Sequence, residues 1–315
     1  MFKRLSFKAI SALTGVLPRS VQYAISRPAA DLYYLFGRTA RENVRSNLRV
    51  ILGPGVSEKL LRRETREVFR AFGKYLCEFF GATHMGGRFI DNHVIVQGGE
   101  HLDTALSRGR GAIFCSGHFS NWELGGMIVA HMGYPITGVY QSHADERTNA
   151  IFVQQRAGWG IKIVSSQIGA ISSLRALRQN ETVALMGDRM TGGPVVEVDF
   201  FGKPARLPQG PFRIALTSGA ALLPTFINRR ANGQFTMEIG TALEVGSEGT
   251  LAERVQRLGQ AWAKVFEARV RFDPSQFTAF YDFWANTSAE SPRSGTESVE
   301  KAHASENHTR QERTQ

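Results

Sequence analysis

The sequence is poor in cysteine and contains no long apolar run. Its 315 residues include two cysteines, Cys77 and Cys115, and both lie within apolar stretches. This pattern argues against a disulfide framework and favours a reducing compartment. No run approaches the roughly 18 apolar residues that a spanning helix needs, so a transmembrane helix is not expected. A cleavable signal peptide is not expected either, because Pro18-Arg19-Ser20 offers no small-residue cleavage site.

Acidic residues are scarce near the start of the chain. Residues 1–75 contain about 15 Lys and Arg against about 5 Asp and Glu, a surplus equal to the formal net charge of +10 for the whole protein. Apolar residues are interspersed with the basic ones, and residues 1–17 have the pattern of a short amphipathic helix. Such helices bind anionic lipid surfaces, so we predict that residues 1–36 form a membrane-associating segment. A basic helix packed on the domain is the alternative.

Apolar residues are nearly absent from the other end of the chain. Residues 286–315 are rich in Ser, Thr, Glu and Gln, a composition that predicts a disordered tail. Between the ends, short apolar runs alternate with helical patterns, which predicts a single α/β domain over residues 37–285. We expect a central, mostly parallel sheet flanked by helices, with basic helices on the N-terminal side. The aromatic stretch from Pro274 to Trp284 is predicted to be a packed helix.

One stretch of this domain carries residues suited to chemistry. Ala112 to Cys115 has the apolar pattern of a buried strand, and an amphipathic helical pattern begins at Asn121. His118 therefore lies between the end of a strand and the start of a helix, where open α/β sheets place their ligands. Glu123 follows in the first helical turn, from which its carboxylate can orient the imidazole and leave one ring nitrogen as a general base.

A purely structural interpretation of the same residues is open. Ser120 and Glu123 have the spacing of a capping box, in which the glutamate binds the backbone N–H of the serine. A histidine beside a glycine turn is also common without any function. The local spacing alone does not separate these interpretations.

Seven residues, from Gly117 to Glu123, read Gly-His-Phe-Ser-Asn-Trp-Glu. They resemble the His-x4-Asp/Glu signature of the lysophospholipid and glycerolipid acyltransferase superfamily, in the branch of the lipid A late (lauroyl or myristoyl) acyltransferases and the phosphatidylinositol mannoside acyltransferases. The resemblance extends over about Arg38 to Trp284. It implies transfer of a fatty acyl group from a thioester of acyl carrier protein or coenzyme A to a hydroxyl of a lipid or glycolipid, with His118 as the general base.

The same resemblance carries expectations about cofactors and location. It implies that neither a metal nor a cofactor is needed, because the acyl thioester is itself a co-substrate. It also implies a peripheral or monotopic enzyme on the cytoplasmic face of the bacterial inner membrane, in contact with an anionic membrane surface.

A second block, which begins at Gly187, is similar to the third conserved region of that family. There a strand ends in an Asp-containing turn, and the chain continues to Phe-Phe-Gly and to a Pro-x-Gly-Pro helix start. Asp188-Arg189 stands where many lipid A acyltransferases have Asp-Gln, and Glu197 stands where the mannoside branch places an acid that engages the catalytic histidine. We therefore expect Glu123 or Glu197 to orient His118. We predict that the substrate-binding residues are Arg156, Asp188, Arg189 and Arg213. The arginines are expected to bind phosphate, and the alternative is that they form surface ion pairs.

Two other functions explain parts of the sequence. A non-catalytic basic protein that binds membranes or nucleic acid accounts for the N-terminal charge, but no zinc, helix-turn-helix or RNA-binding signature is present, so nucleic acid is not an expected partner. A hydrolase would use Cys115 or Ser116 as its nucleophile, but the Gly-x-Ser-x-Gly elbow is missing and Cys115 is expected to face a packed interior. The acyltransferase is preferred because it explains both the His118 and the Asp188 blocks.

Overall fold

The structure is a computed structural model, and it describes residues 14–141, 146–190 and 192–285. The predicted disordered tail, residues 286–315, lies outside the described residues, as does the start of the predicted membrane-associating segment, residues 1–13. Among the residues that are described, no helix is long and apolar enough to cross a membrane.

In the part of the chain that the structure describes, three long helices precede the sheet. They are α1 (Arg19–Phe36), α2 (Arg38–Leu52) and α3 (Glu58–His93). Ser57 caps α3, because its side chain accepts a hydrogen bond from the backbone N–H of Leu60. The helix is interrupted at Gly86, where φ is 58° and ψ is −175°. Glycine adopts such a conformation readily, so the helix axis kinks there.

Ion pairs hold the first helix on the third. Arg66 and Arg70 of α3 both bind Asp31 of α1, with N–O distances of 2.6 Å and 2.8 Å. Hydrogen bonds from Arg70 and Arg66 hold the pKa of the Asp31 carboxyl well below its usual range. Arg66 and Arg70 are therefore used within the helical layer, where they hold α1 in position.

Strands and helices then alternate along the chain, which confirms the predicted α/β class. The first elements are β1 (Val94–Gln97), α4 (Gly99–Ser107), β2 (Ala112–Ser116), α5 (Trp122–His131), β3 (Ile136–Tyr140), α6 (Glu146–Ala157), β4 (Lys162–Ser165), α7 (Ser166–Arg178) and β5 (Thr182–Met186). They are followed by β6 (Val195–Phe200), β7 (Lys203–Pro208), α8 (Gly210–Ser218), β8 (Ala221–Arg229), β9 (Phe235–Ile239) and α9 (Leu251–Phe272).

The main sheet has seven strands in the order β1-β9-β8-β2-β5-β3-β4. Neighbouring strands are parallel except for β8 and β9, which pair antiparallel. The prediction of one domain with a central, mostly parallel sheet flanked by helices is confirmed. β2 lies in the middle of the sheet, and its register with β5 pairs Ser116 with Met186. The carboxyl ends of these two strands therefore lie side by side.

The side chains of β2 alternate between two apolar cores. Ile113 and Cys115 lie in one core together with Trp262 and Phe266 of α9. Phe114 lies in the other core, which includes side chains of α5. Because successive side chains of a strand point to opposite faces, the two cores cover the two faces of the sheet. Burial on both faces explains why β2 is an uninterrupted apolar run in the sequence.

A two-stranded antiparallel ribbon, β6 and β7, is separate from the main sheet. Buried and exposed residues alternate along β6, with Val196 and Phe200 buried and Glu197 and Asp199 exposed. Glu197 lies opposite Arg206 of β7. The ribbon packs its apolar face on the core and turns its acidic face to solvent, as the alternating sequence pattern predicts.

The segment after α9 packs on the core, but the prediction of a helix there is wrong. A single 3-10 turn, Pro274–Gln276, is followed by extended chain, in which Thr278 donates its backbone N–H to the carbonyl oxygen of His118 (3.1 Å). Further along, backbone groups are bound by the side chain of Asn47 from α2. A helix does not form because these backbone groups are satisfied by other parts of the molecule.

We expect Asn47→Ala to destabilise the protein. Asn47 is buried; its Nδ2 donates to the carbonyl oxygens of Ala279 (3.1 Å) and Tyr281 (2.8 Å), and its Oδ1 accepts from the backbone N–H of Phe283 (2.9 Å). Without the amide, three backbone groups lose their partner, so the free energy of unfolding in urea should fall by about 2 to 4 kcal/mol. The control, Asn43→Ala, removes a single hydrogen bond to the same segment from a half-buried position. Equal losses in the two variants contradict this account.

Candidate active site

His118 is held by a buried carboxylate. Its Nδ1 lies 2.8 Å from Oδ1 of Asp188, and its backbone N–H donates to Oδ2 of the same residue at 2.9 Å. The Asp188 side chain is fully buried, whereas that of His118 is 20% exposed. Because an ionised carboxylate only accepts hydrogen bonds, Nδ1 carries a proton, and Nε2 is then the proton acceptor of the neutral ring. Within the described part of the chain, no residue forms a hydrogen bond with Nε2.

The sheet itself brings these two residues together. Ser116 and Met186 are paired neighbours on the parallel strands β2 and β5. His118 and Asp188 each lie two residues beyond one of them, and 70 positions apart in the sequence. Their contact is therefore a direct consequence of which strand lies beside β2, and it forms at the carboxyl edge of the sheet.

Three backbone N–H groups of the loop after β2 already have hydrogen-bond partners. The N–H of His118 is bound by the carboxylate, and those of Phe119 and Ser120 donate to the carbonyl oxygens of Gly117 (2.7 Å) and Gln276 (2.8 Å). An oxyanion formed during acyl transfer needs hydrogen-bond donors. These three N–H groups are already used, so such donors must come from elsewhere in the site.

Helix α5 begins with Asn121 as its N-cap. The Asn121 Oδ1 accepts from the backbone N–H of Leu124 at 3.1 Å. Ser120, one position earlier, has a φ of 53°, a left-handed conformation that a non-glycine residue keeps only where its surroundings hold it. The capping box suggested by the spacing of Ser120 and Glu123 does not form, because the cap lies one residue later.

Glu123 binds Arg156 instead of His118. Its carboxylate oxygens accept from Nε (2.9 Å) and Nη2 (2.5 Å) of Arg156, and both side chains are largely buried. Burial alone lowers the pKa of Arg156, but the neighbouring Glu123 carboxylate outweighs burial and raises the pKa, so the guanidinium stays charged. The structure therefore does not support Glu123 as the acid that orients His118.

Glu197 lies on the exposed face of the β6–β7 ribbon. Its side chain is 69% exposed and pairs with Arg206 at 3.2 Å. Since side chains alternate along a strand, the burial of Val196 and Val198 turns Glu197 outward. The expectation that Glu197 orients His118 has no support in this geometry, because Asp188 occupies that position.

The predicted substrate-binding residues separate into two groups. Arg189 and Arg156 line the cavity beside the histidine, and the guanidinium of Arg189 lies 5.5 Å from the centre of the Tyr281 ring. Arg213 is on the exposed side of α8 and is not among the cavity-lining residues that the structure describes. Asp188 is buried behind the imidazole with both oxygens occupied, so it contacts His118 and not a substrate.

A cavity of about 1040 Å³ opens beside His118, at the upper end of the range for ligand pockets. The ring of Trp122 lines it and contacts the imidazole edge-to-face at 4.7 Å. Helix α5 lies close against the wall at Gly126, where a Cβ would approach Cδ1 of Ile161 to 2.7 Å. Much of the lining is aliphatic and comes from α5, from several strands and from the residue before β4, including Val129, Ile136, Ile161, Ile163, Ile227 and Met237.

Neither hydrolase nucleophile is placed for catalysis. Cys115 is fully buried in the core, and burial, followed by the charge of Asp188, raises the pKa of its thiol well above the usual value. A cysteine nucleophile must be a thiolate, which this environment disfavours. The Ser116 hydroxyl donates to the carbonyl oxygen of Gly117 (3.4 Å) and not to the His118 ring.

A family model matches most of the chain. Residues 7–285 match the model described as bacterial lipid A biosynthesis acyltransferase. The chain belongs to this family. The predicted family and enzyme class are confirmed, and the protein is an acyltransferase and not a non-catalytic binding protein.

Individual relatives of this acyltransferase come from both branches named above. A phosphatidylinositol mannoside acyltransferase of Mycobacterium tuberculosis (strain CDC 1551 / Oshkosh) is 29% identical over 318 residues, covering 90% of this chain and 98% of that protein. A protein of the same name from Mycolicibacterium smegmatis is 27% identical over 272 residues, covering 82% and 86%. A lipid A biosynthesis acyltransferase of Haemophilus influenzae is 28% identical over 151 residues, covering 47% and 48%.

In an acyltransferase, the pair of His118 and Asp188 has the geometry of a general base and its orienting acid. A carboxylate at this position favours the tautomer with Nδ1–H and is able to stabilise an imidazolium. The sequence interpretation placed Asp188 in the site but missed this contact. The available signal was that Asp188, like His118, follows a buried strand by two residues, at the edge where parallel strands place their functional groups.

We expect Asp188→Asn to lose roughly 10³- to 10⁴-fold in kcat. The backbone N–H of His118 can only donate, so the new amide must turn its oxygen there and its NH₂ toward Nδ1. Nδ1 then becomes an acceptor, and the proton moves to Nε2, which can no longer act as a base. The measurement is kcat for acyl transfer together with the melting temperature.

The matched control is Glu197→Gln, which makes the same change of charge on the exposed ribbon. Its turnover should stay within about twofold of the wild type, because exposed ion pairs contribute little. The opposite ranking, with an active Asp188→Asn and an inactive Glu197→Gln, rules out the assignment of Asp188 to His118.

Proposed function

We propose that this acyltransferase moves a fatty acyl group from a thioester of acyl carrier protein or coenzyme A to a hydroxyl group of a lipid or glycolipid. The observation that carries the proposal is the His118–Asp188 pair at the border of a large, mostly apolar cavity. Such a cavity suits a fatty acyl chain, and the pair suits deprotonation of a hydroxyl. The names of the relatives, which specify phosphatidylinositol mannosides and lipid A, support a glycolipid acceptor.

In the proposed reaction, Nε2 of His118 takes the proton of the acceptor hydroxyl while the hydroxyl oxygen attacks the thioester carbonyl carbon. The tetrahedral intermediate then collapses, the carbon–sulfur bond breaks, and the leaving thiolate receives the proton from Nε2. An ester and a free thiol are formed, with no change of oxidation state. Asp188 stabilises the imidazolium between the two proton transfers. The steps require neither a metal nor a cofactor.

Two arginines are proposed to stabilise negative charge in this reaction. The N–H groups of residues 118–120 are engaged, so the oxyanion is assigned to donors of the first turn of α5 or to Arg156, which lines the cavity. Arg189 also lines the cavity, and its guanidinium lies over an aromatic ring. We assign it to a phosphate of the acceptor or the donor, since a guanidinium binds phosphate in a bidentate manner.

We expect purified wild-type protein to acylate a glycolipid and His118→Ala to lose at least about 10³-fold in kcat while remaining folded. The assay offers palmitoyl-coenzyme A or palmitoyl-acyl carrier protein as donor, and a phosphatidylinositol mannoside or a lipid A precursor as acceptor. Mass spectrometry identifies which of the four combinations gives product. A folded His118→Ala protein with wild-type turnover refutes the proposed mechanism, and Cys115→Ser is the control that should remain active.

We also propose that the protein binds the cytoplasmic face of the inner membrane through α1. The exposed large hydrophobic side chains of this helix include Val21, Ile25, Leu32, Leu35 and Phe36. At about 100° per residue they form one stripe along the helix, opposite to the side that packs on α3. The predicted amphipathic stretch of residues 1–17, most of which lies outside the described residues, precedes this stripe directly.

We expect Leu32→Ser combined with Phe36→Ser to weaken binding to anionic liposomes about tenfold, since two apolar side chains lose their contact with lipid. The melting temperature should not change, because both side chains are exposed; that of Phe36 is 82% exposed. Flotation with liposomes measures the binding. The control is Phe272→Ser, at the end of α9, which removes an equally exposed aromatic ring. Wild-type binding by the α1 variant shows that the anchor is elsewhere.

A further inference from the structure

A buried polar cluster lies next to the site, and the reaction described above does not use it. Its centre is Glu78 of α3, whose side chain is 1% exposed. The carboxylate accepts two hydrogen bonds from Arg229, from Nε and Nη2, both at 2.6 Å. It also accepts from Nδ2 of Asn121 at 2.9 Å and from the hydroxyl of Tyr23. Four elements of the fold therefore meet at one carboxylate.

We propose that Glu78 is a positioning residue for His118, and that it acts through Asn121. This inference rests on the proposed function, in which His118 is the base. Asn121 lies three residues beyond His118 and caps α5 through its Oδ1, so its Nδ2 is turned toward Glu78. The carboxylate thereby fixes the end of the loop that carries the histidine, while Asp188 fixes its start.

The loop needs such an external support. Ser120, between the histidine and the cap, is held at a φ of 53°, which is unfavourable for a residue with a side chain. Its own hydroxyl forms no hydrogen bond with any described residue, so its side chain does not stabilise this conformation. The conformation is therefore imposed from both sides, by the contact of Glu78 with Asn121 and by the contacts of the segment after α9.

Arg229 supports the loop by two routes. Its guanidinium neutralises Glu78, and its backbone N–H donates to Oε1 of Gln276 at 3.0 Å. The carbonyl oxygen of Gln276 in turn accepts the backbone N–H of Ser120 at 2.8 Å. One residue at the end of β8 is thus connected to two consecutive residues of the histidine loop, Ser120 and Asn121.

Two hydrogen-bond donors of the cluster, Arg229 and Tyr23, keep their protons near neutral pH. Burial alone lowers the pKa of Arg229, but Glu78 outweighs burial and raises it. Burial and then the charge of Glu78 raise the pKa of Tyr23, so its hydroxyl keeps the proton that it donates. A buried ion pair of this kind is weak evidence for added stability, because apolar side chains of similar size often stabilise the folded state equally. Its directed hydrogen bonds, by contrast, determine an orientation that apolar side chains do not.

The cluster does not contact the space where a substrate would lie. Among the described residues that line the cavity, Tyr23, Glu78, Asn121 and Arg229 do not appear. Any effect of Glu78 on the reaction must therefore pass through the position of the loop. A displacement of a base by about 1 Å costs roughly 100-fold in rate, so a loosened loop should lower kcat and leave KM for the acyl donor unchanged.

The first test is Asn121→Ser. Serine is as good an N-cap as asparagine, so the start of α5 is kept while the hydrogen bond to Glu78 is lost. We expect kcat to fall roughly 10- to 100-fold, with KM for the acyl donor and the melting temperature near those of the wild type. A kcat within twofold of the wild type overturns the proposal.

The second test removes both charges together, in Glu78→Met with Arg229→Met. The apolar pair should keep the protein folded, and kcat should stay low with KM unchanged. The control is Asp31→Leu with Arg70→Met, which removes an ion pair between α1 and the same helix α3, away from the loop. Equal kcat values for the two double variants, or wild-type turnover of the Glu78 and Arg229 double variant, overturn the proposal. If that double variant does not fold, Asn121→Ser decides.

Both tests include His118→Ala in the same assay. A fully active His118→Ala shows that the proposed function has failed, whatever the positioning variants do. An inactive His118→Ala together with a fully active Asn121→Ser leaves the base in place and rejects the positioning role of Glu78 alone.

Discussion

The parallel pairing of β2 with β5 is the constraint on which the site depends. The register sets Ser116 beside Met186, and the chain continues for two residues from each of them to His118 and Asp188. Both strands are buried, so a shift by one residue would turn apolar side chains out of their cores. The packing of the sheet thereby specifies the position of two polar residues that lie outside the apolar cores.

Each of the buried carboxylates near the histidine binds a different partner. Asp188 binds His118, Glu123 binds Arg156, and Glu78 binds Arg229. A buried carboxylate without a partner destabilises the folded state. A carboxylate whose oxygens already accept hydrogen bonds from a guanidinium has few lone pairs free for an imidazole N–H. This division explains why the acid nearest to His118 in the sequence is not the one that contacts it. Glu123 lies at the start of α5, but its charge is already neutralised by α6.

The cavity and the base come from the same elements, which couples the site to the fold. Helix α5 follows the histidine loop directly, and its glycines let it lie close to the sheet and to Ile161. The apolar side chains and the polar residues therefore line the same cavity. The segment after α9 closes another side, with Thr278 bound to the carbonyl oxygen of His118. The sequence signature of the site occupies only seven consecutive positions, 117–123, but residues from both ends of the domain contribute to the site itself.

The sequence by itself determined the α/β class, the family and the place of His118 between strand and helix. These features are local: the periodicities of 2 and 3.6 residues, the strand break at Gly117 and the seven-residue signature are all contained in short windows. The extended chain after α9 was missed because its backbone is satisfied by Asn47 and the histidine loop, far away in sequence. The partner of His118 was missed for the same reason. His118 and its partner Asp188 are 70 positions apart, and Glu123 and its partner Arg156 are 33 positions apart. Both contacts depend on how the strands and helices pack, so only the tertiary structure decided them.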